Sequence, residues 1–281
     1  MKRRRYTLQA RDRVIELGER TLVMGVLNAT PDSFFDGGAY FEPKKATEQA
    51  WRICDEGADI LDIGGESSRP SSDGVSLAEE LKRVVPVLDA LAGKYPLPIS
   101  IDTSKAEVAR AALQRGAVLI NDITSLQRDP RIAEEVASFQ AALILMHMRG
   151  TPKTMQTLAP SPDILTEIEQ WAKEAVARAR KSGVSCDKII LDPGIGFGKS
   201  VNQNLEILRN LDRLAGAGFP LLVGTSRKSF IGALLDKPEE ERIWGTGATV
   251  AASILFGAHI VRVHDVAPMR DIARIIDALV S

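Results

Sequence analysis

Apolar residues along this chain gather in short runs, and each run ends in polar residues or glycine. Eight such runs stand out: Leu22–Leu27, Ile60–Ile63, Ile99–Asp102, Val118–Asp122, Ala142–His147, Lys188–Asp192, Leu221–Gly224 and Ile260–His264. Short, nearly continuous runs of Val, Ile and Leu are how parallel strands covered on both faces read. A stretch with apolar positions at helical spacing follows each one: Lys44–Glu56, Leu77–Leu91, Lys105–Arg115, Pro130–Phe139, Ile164–Lys181, Asn202–Leu214, Glu239–Phe256 and Met269–Leu279. Gly57, Gly93, Gly116, Gly183, Gly216 and Gly257 stand just past these stretches, where helix stops are expected.

Eight strand–helix units in about 260 residues predict an α/β fold, a closed (β/α)8 TIM barrel. A doubly wound open sheet is the alternative that the pattern allows. The segment Tyr6–Leu17 precedes the first unit and reads as a small β-hairpin, placed to cap the N-terminal mouth of the barrel. No shift in composition divides the chain, so residues 1–281 are expected to form a single barrel domain.

Composition narrows the function classes. Lys and Arg number 36 against 37 Asp and Glu, which argues against a general nucleic-acid surface. The basic run Lys2–Arg5 has no apolar segment behind it and reads as a solvated end, not a targeting signal. No stretch approaches the roughly 18 apolar residues of a membrane span. Cys54 and Cys186 are distant and form no CxxC pair, so a reducing cytoplasm is the expected location. His147, His259 and His264 lack metal-ligand spacing.

The chemistry lies where the predicted strands end, and barrel enzymes build their sites at that face. Asn28, Glu66–Pro70, Asp102–Ser104, Asn121–Asp122, His147, Asp192–Gly198, Thr225–Lys228 and Arg262–Asp265 all fall there. Taken singly, each has a bland reading: Ser104 and Ser200 as helix caps, His147 as a satisfied structural histidine, the glycines as tight turns. Together they would surround one cavity. So many buried polar groups are costly unless they pair or bind something. Asp102, Asn121 and Asp192 suit a ligand edge rich in N–H donors, such as an aminopyrimidinone. Lys228, Arg262 and His264 offer donors and positive charge to a carbonyl oxygen and a phosphate-like group. Asn28 offers an oxygen to Mg2+, a hard ion that shares substrate phosphates. Gly198-Lys199-Ser200 lacks the remainder of a P-loop.

These residues also stand in familiar strings. Met24–Gly38 (MGVLNATPDSFFDGG) and Gly57–Pro70 (GADILDIGGESSRP) resemble the two long signatures of the dihydropteroate synthases. Ser100–Ser104, Ile120–Ile123, Leu191–Lys199, Gly224–Gly232 and Val261–Asp265 resemble five shorter ones, in order from the first strand to the eighth. Ala29, Phe35 and Ser68 depart from the residues most usual there, which bears on fine substrate or drug preference and not on the reaction. The resemblance implies joining of a pterin pyrophosphate to p-aminobenzoate, with Mg2+ as cofactor and a homodimer as the assembly. It implies a pterin held by Asp102, Asn121, Asp192 and Lys228. Arg262 and His264, with Asn28 through Mg2+, would hold the pyrophosphate, and Asp102, Lys228 and Arg262 would carry the catalysis. Ser68, Arg69, Pro70 and Ser229 would lie on the p-aminobenzoate side, beneath closing loops at Thr30–Glu42 and Glu66–Val75. A methyltetrahydrofolate methyltransferase of the same superfamily would share the barrel and the acidic pterin contacts but lack the pyrophosphate clamp. A barrel that binds pterin without catalysis is the non-enzymatic reading.

Overall fold

The computed structural model describes residues 3–30, 43–67, 74–155 and 157–280. Strands β1 (Tyr6–Ala10) and β2 (Arg13–Leu17) pair antiparallel as the expected hairpin. There follow β3 (Leu22–Asn28), α1 (Pro43–Asp55), β4 (Ile60–Gly64), α2 (Leu77–Leu91), β5 (Ile99–Asp102), α3 (Ala106–Gln114), β6 (Leu119–Asp122), α4 (Arg131–Ser138), β7 (Ala142–Met146) and α5 (Ile164–Lys181). The remaining elements are β8 (Ile189–Asp192), α6 (Val201–Arg209), α7 (Leu211–Ala215), β9 (Leu222–Val223), α8 (Ser229–Leu235), α9 (Ile243–Leu255), β10 (Ile260–Val263) and α10 (Val266–Val280).

Strands β3 to β10 form one parallel eight-stranded sheet, in the order β8-β7-β6-β5-β4-β3-β10-β9. Its ends meet. Leu191 bridges to Leu221 in parallel, and the Leu191 N–H donates to the Pro220 carbonyl at 3.0 Å. The sheet therefore closes into a barrel, and the open-sheet alternative falls away.

Seven of the eight strands alternate between two apolar cores, a period that the apolar runs conceal, and β5 instead turns Ser100 and Asp102 away from the outer core. Val23, Leu61, Ile101, Ile120, Leu143, Leu191 and Val261 face outward into the layer shared with the helices. Leu22, Met24, Ile60, Leu119, Ile144, Ile190, Leu222 and Ile260 fill the barrel interior together with Leu8, Ala10, Ile15 and Leu17 of the hairpin. The hairpin thus plugs the N-terminal mouth with apolar side chains. Polar groups are left to line the other end. At Gly25 a Cβ would lie 2.4 Å from Ile53, so only glycine lets α1 pack this closely on β3.

Several boundaries differ from the sequence expectation. The helix expected over Asn202–Leu214 breaks at Asn210, whose side chain donates to the Glu206 carbonyl at 2.8 Å. Gly216 is right-handed and part of this helix end, and Gly218 takes the positive φ instead. The stretch expected to begin at Glu239 is a 3-10 turn over Glu239–Glu241, with α9 starting at Ile243. Helix α10 starts at Val266, ahead of the expected Met269, because Pro268 falls in the first turn where its missing N–H costs nothing. Helix α8 was not expected. Ser200 caps α6 in a reciprocal box with Gln203, whereas Ser104 caps no helix and accepts from Arg128 at 2.9 Å.

Candidate active site

A cavity of about 400 Å3 opens at the C-terminal ends of the strands. Asn28, Asp102, Asn121, Asp192, Lys228, Ser229, Arg262 and His264 all line it. The expected residues from β3, β5, β6, β8, β10 and the turn after β9 therefore meet in one place. A second cavity of about 460 Å3 shares Glu66, Ser67, Asp102, Ile123 and Met146 with it. Ser68, Arg69, Pro70 and Phe35 lie outside the described residues, as do most of the two expected closing loops. Glu66, at the start of the second of these loops, is held by Lys105, which also pairs with buried Glu80, and by Arg128 at 3.2 Å.

Charge is dense and buried. The Arg262 guanidinium lies between two acids, donating from Nε to Asp62 Oδ2 at 2.7 Å and from Nη2 to Asp102 Oδ2 at 2.9 Å. The nearby Asp265 pairs with Arg227 instead, at 2.9 Å. Burial pushes the Asp102 carboxyl up to about 7, against the pull of Arg262. Burial likewise raises Asp192 to about 6, although its Oδ1 accepts the Gly194 N–H at 2.7 Å. The Lys228 ammonium sits 4.0 Å above the Phe197 ring, and burial beside Arg262 brings it down to about 8. These shifts bring the pKa values of both acids and the lysine close to neutral pH.

Local backbone explains the aim of these side chains. Gly194 has φ +66°, and a Cβ there would strike the His147 carbonyl at 1.9 Å. This turn folds the chain back so that Asp192 can bond the Gly194 N–H. Lys199 fixes the same turn, with Nζ donating to the carbonyls of His147, Gly194 and Phe197 at 2.8–3.1 Å. Its amino group is spent on structure, burial brings it down to about 7, and it does not line the cavity. Arg227 is left-handed at φ 57°, held by Asp265 and by an N–H to Thr246 Oγ1 at 3.0 Å, which turns Lys228 inward at the head of α8.

Both histidines near the site are neutral, which corrects the positive charge expected of His264 and agrees with the structural reading of His147. Burial and the neighbouring Arg262 hold His264 down at about 3, so it is neutral. Its backbone N–H donates to Ser226 Oγ at 3.2 Å, which leaves the Ser226 proton for His264 Nδ1, 3.0 Å away. The ring proton then resides on Nε2, and His264 offers a neutral donor. His147 is buried against Trp171, with ring centroids 5.4 Å apart, is kept neutral by burial, and does not line the cavity.

Sequence reasoning passed over Asp62. It sits in the middle of an apolar run, fully buried on β4, and its Oδ2 also accepts from Asn121 Nδ2 at 3.1 Å. The signal was present as alternation, since Ile60, Asp62 and Gly64 share a face. Arg242, at the rim, was also passed over; it donates to the Arg227 carbonyl at 3.0 Å.

The cavity presents acceptors on one side and a buried lysine, an anchored guanidinium and a neutral imidazole on the other. The model of the pterin binding enzyme family matches residues 24–264. The dihydropteroate synthase of Synechocystis is 51% identical over 95% of this chain and 92% of its own length. The crystal structure of the Yersinia pestis dihydropteroate synthase in a sulfonamide drug complex superposes with a TM-score of 0.91 at 43% identity, covering 97% of this chain and 98% of that one. The Xanthomonas albilineans dihydropteroate synthase with 4-aminobenzoic acid also superposes at 0.91, with 38% identity over 99% of both chains. Matched over nearly its whole barrel, from the first sheet strand to the last, the chain belongs to the pterin-binding enzymes, in the dihydropteroate synthase family.

Proposed function

We propose that this chain condenses 6-hydroxymethyl-7,8-dihydropterin pyrophosphate with p-aminobenzoate, giving 7,8-dihydropteroate and pyrophosphate. The observation that carries this reading is the convergence of Asp102, Asn121, Asp192 and Lys228 on one buried cavity beside Arg262 and His264. The aminopyrimidinone edge of a pterin has several N–H donors and one carbonyl. Three acceptors and one ammonium match it group for group.

In this reading the C–O bond to pyrophosphate breaks and its electron pair leaves with the pyrophosphate. Positive charge develops on the pterin methylene, and the arylamine lone pair then forms the C–N bond with release of a proton. Asp102, buried and fixed by Arg262, would face that developing charge in a water-poor site. Arg262 uses Nε and Nη2 on the two acids, and Nη1 would engage the leaving group. His264 would add a neutral N–H from Nε2. Ser229, beside Lys228, and the residues Ser68, Arg69 and Pro70 would hold p-aminobenzoate.

Among the described residues no cluster of three His, Cys, Asp or Glu forms a metal site. The donor set that fits Mg2+ is a single amide oxygen, from Asn28 on the cavity wall, which suits an ion that takes its other ligands from water and phosphates. When bound, the ion would neutralise charge on the departing pyrophosphate. Residues 1–281 would act as one domain, and as a homodimer. In support of the dimer, α9 and α10 pack together and leave Trp244, Leu255, Ile275 and Leu279 exposed. No described helix is long and apolar enough to cross a membrane, and Cys54 and Cys186 are free thiols, which fits the cytoplasm.

Incubation of the purified protein with both substrates and Mg2+, followed by mass spectrometry, tests the reading. Dihydropteroate should form only when both substrates are present. No product under those conditions would refute it.

A further inference from the structure

Asp62 is fully buried on β4 and does not line the ligand cavity. Yet its Oδ2 holds two residues that do. It accepts from Asn121 Nδ2 at 3.1 Å and from Arg262 Nε at 2.7 Å. A carboxylate can only accept, so it dictates what each partner presents elsewhere. Asn121 must turn its NH2 group toward Asp62. Its Oδ1 is left buried without a protein partner. Arg262 must turn Nε toward Asp62, which sets the plane of the fork, lays Nη2 on Asp102 at 2.9 Å and leaves Nη1 over.

We infer that Asp62 is a positioning residue for the pterin site: it fixes the Asn121 amide as an acceptor and the Arg262 guanidinium in one plane. This inference rests on the reading of the cavity as a pterin site. Without Asp62 nothing in this arrangement keeps the Asn121 amide from rotating by half a turn. A rotated amide meets the N–H donors of the ligand with its own N–H donors, and that mismatch is what a donor-rich ligand tolerates least. The residue thus sets ligand specificity from beneath the cavity without touching the ligand. Strand pairing supports the placement. Asp62 and Ser100 are in register on β4 and β5, as are Asp102 and Asn121 on β5 and β6, so the hub lies one level below the residues it orients.

The test is calorimetry of a pterin lacking the pyrophosphate, with steady-state kinetics alongside, on Asp62→Ala and Asp62→Asn. Asp62→Ala removes the acceptor and should weaken pterin binding at least tenfold, with KM for p-aminobenzoate within about twofold of wild type. In Asp62→Asn the amide oxygen can stand where Oδ2 stood, keep both bonds and restore pterin affinity to within about threefold. If the alanine variant is not recovered folded, Asp62→Ser, whose hydroxyl is too short to reach both donors, takes its place with the same expectation. Unchanged pterin affinity in Asp62→Ala would overturn the proposal. So would equal losses for both substrates, which signal a general structural role. So would an asparagine variant as damaged as the alanine one. A wild-type protein that binds no pterin overturns the pterin-site reading and this inference together. Wild-type binding with an undamaged Asp62→Ala overturns the Asp62 inference alone.

Discussion

Asp192→Asn is a sharp probe of the pterin site, because both orientations of the new amide fail. Asp192 Oδ1 accepts the Gly194 N–H at 2.7 Å, and its other oxygen is available to the ligand. If the asparagine oxygen keeps the Gly194 bond, its NH2 faces the N–H donors of the pterin. If it rotates to serve the ligand, the NH2 faces the Gly194 N–H. Either way a charge-assisted bond is lost, worth about 1.5–3 kcal/mol, and a buried donor is left unpaired at about 1–3 kcal/mol. The two together give about 3 kcal/mol or more, which is over a hundredfold in Kd. The fold should not suffer in the same way. Burial raises Asp192 to about 6, so its charged form is disfavoured in the folded state and a neutral side chain relieves that cost. Titration calorimetry with a pterin ligand, paired with thermal melting, separates the two. Unchanged pterin affinity would remove Asp192 from the ligand contacts, and a large fall in melting temperature would show that the residue is structural.

Three further outcomes are expected. For the pterin substrate, kcat/KM should trace a bell: it falls as pH drops through about 7 to 6, where Asp102 and Asp192 take up protons, and as pH rises through about 8, where Lys228 loses one; a profile flat from pH 5 to 9 would contradict these assignments. Lys199→Met should destabilise the protein by about 1–3 kcal/mol in urea and raise KM for the pterin, because three carbonyls lose their donor and the turn beside Asp192 loosens; a variant as stable as wild type would show that the ammonium holds nothing. Leu8→Ala should cost about 2–5 kcal/mol of stability while kcat stays within a few-fold of wild type, because the hairpin closes the barrel floor far from the site; a loss under about 1 kcal/mol would mean the plug is dispensable.

How much of this was legible in the sequence follows from what each feature depends on. All eight barrel strands were found, because burial on both faces makes them continuous apolar runs such as Ala142–Met146. The hairpin was read from the segment Tyr6–Leu17 ahead of the first unit, and its Leu8, Ala10, Ile15 and Leu17 fill the barrel floor. The short helix α8 was missed because seven residues after a polar turn give too few apolar repeats to reveal a period. In the site, residues at strand ends announced themselves by position. Asp62 did not, because it lies inside a strand and its importance comes from Arg262, 200 residues away. The neutrality of His264 was equally hidden, since it follows from burial among Arg262, Arg227 and Lys228 and not from residue type.

The central claim is that Asp102 stabilises charge developing on a pterin held in this cavity. Single-turnover formation of dihydropteroate, with enzyme in excess over the pterin pyrophosphate and p-aminobenzoate saturating, addresses it directly in wild type and Asp102→Asn. An asparagine keeps the shape and an acceptor for Arg262 but removes the charge facing the methylene. Loss of one such preorganised electrostatic contact costs about 3–4 kcal/mol of the barrier, so the rate should fall about a hundred- to a thousandfold. A single-turnover rate within threefold of wild type would contradict the claim and move the charge stabilisation to another group.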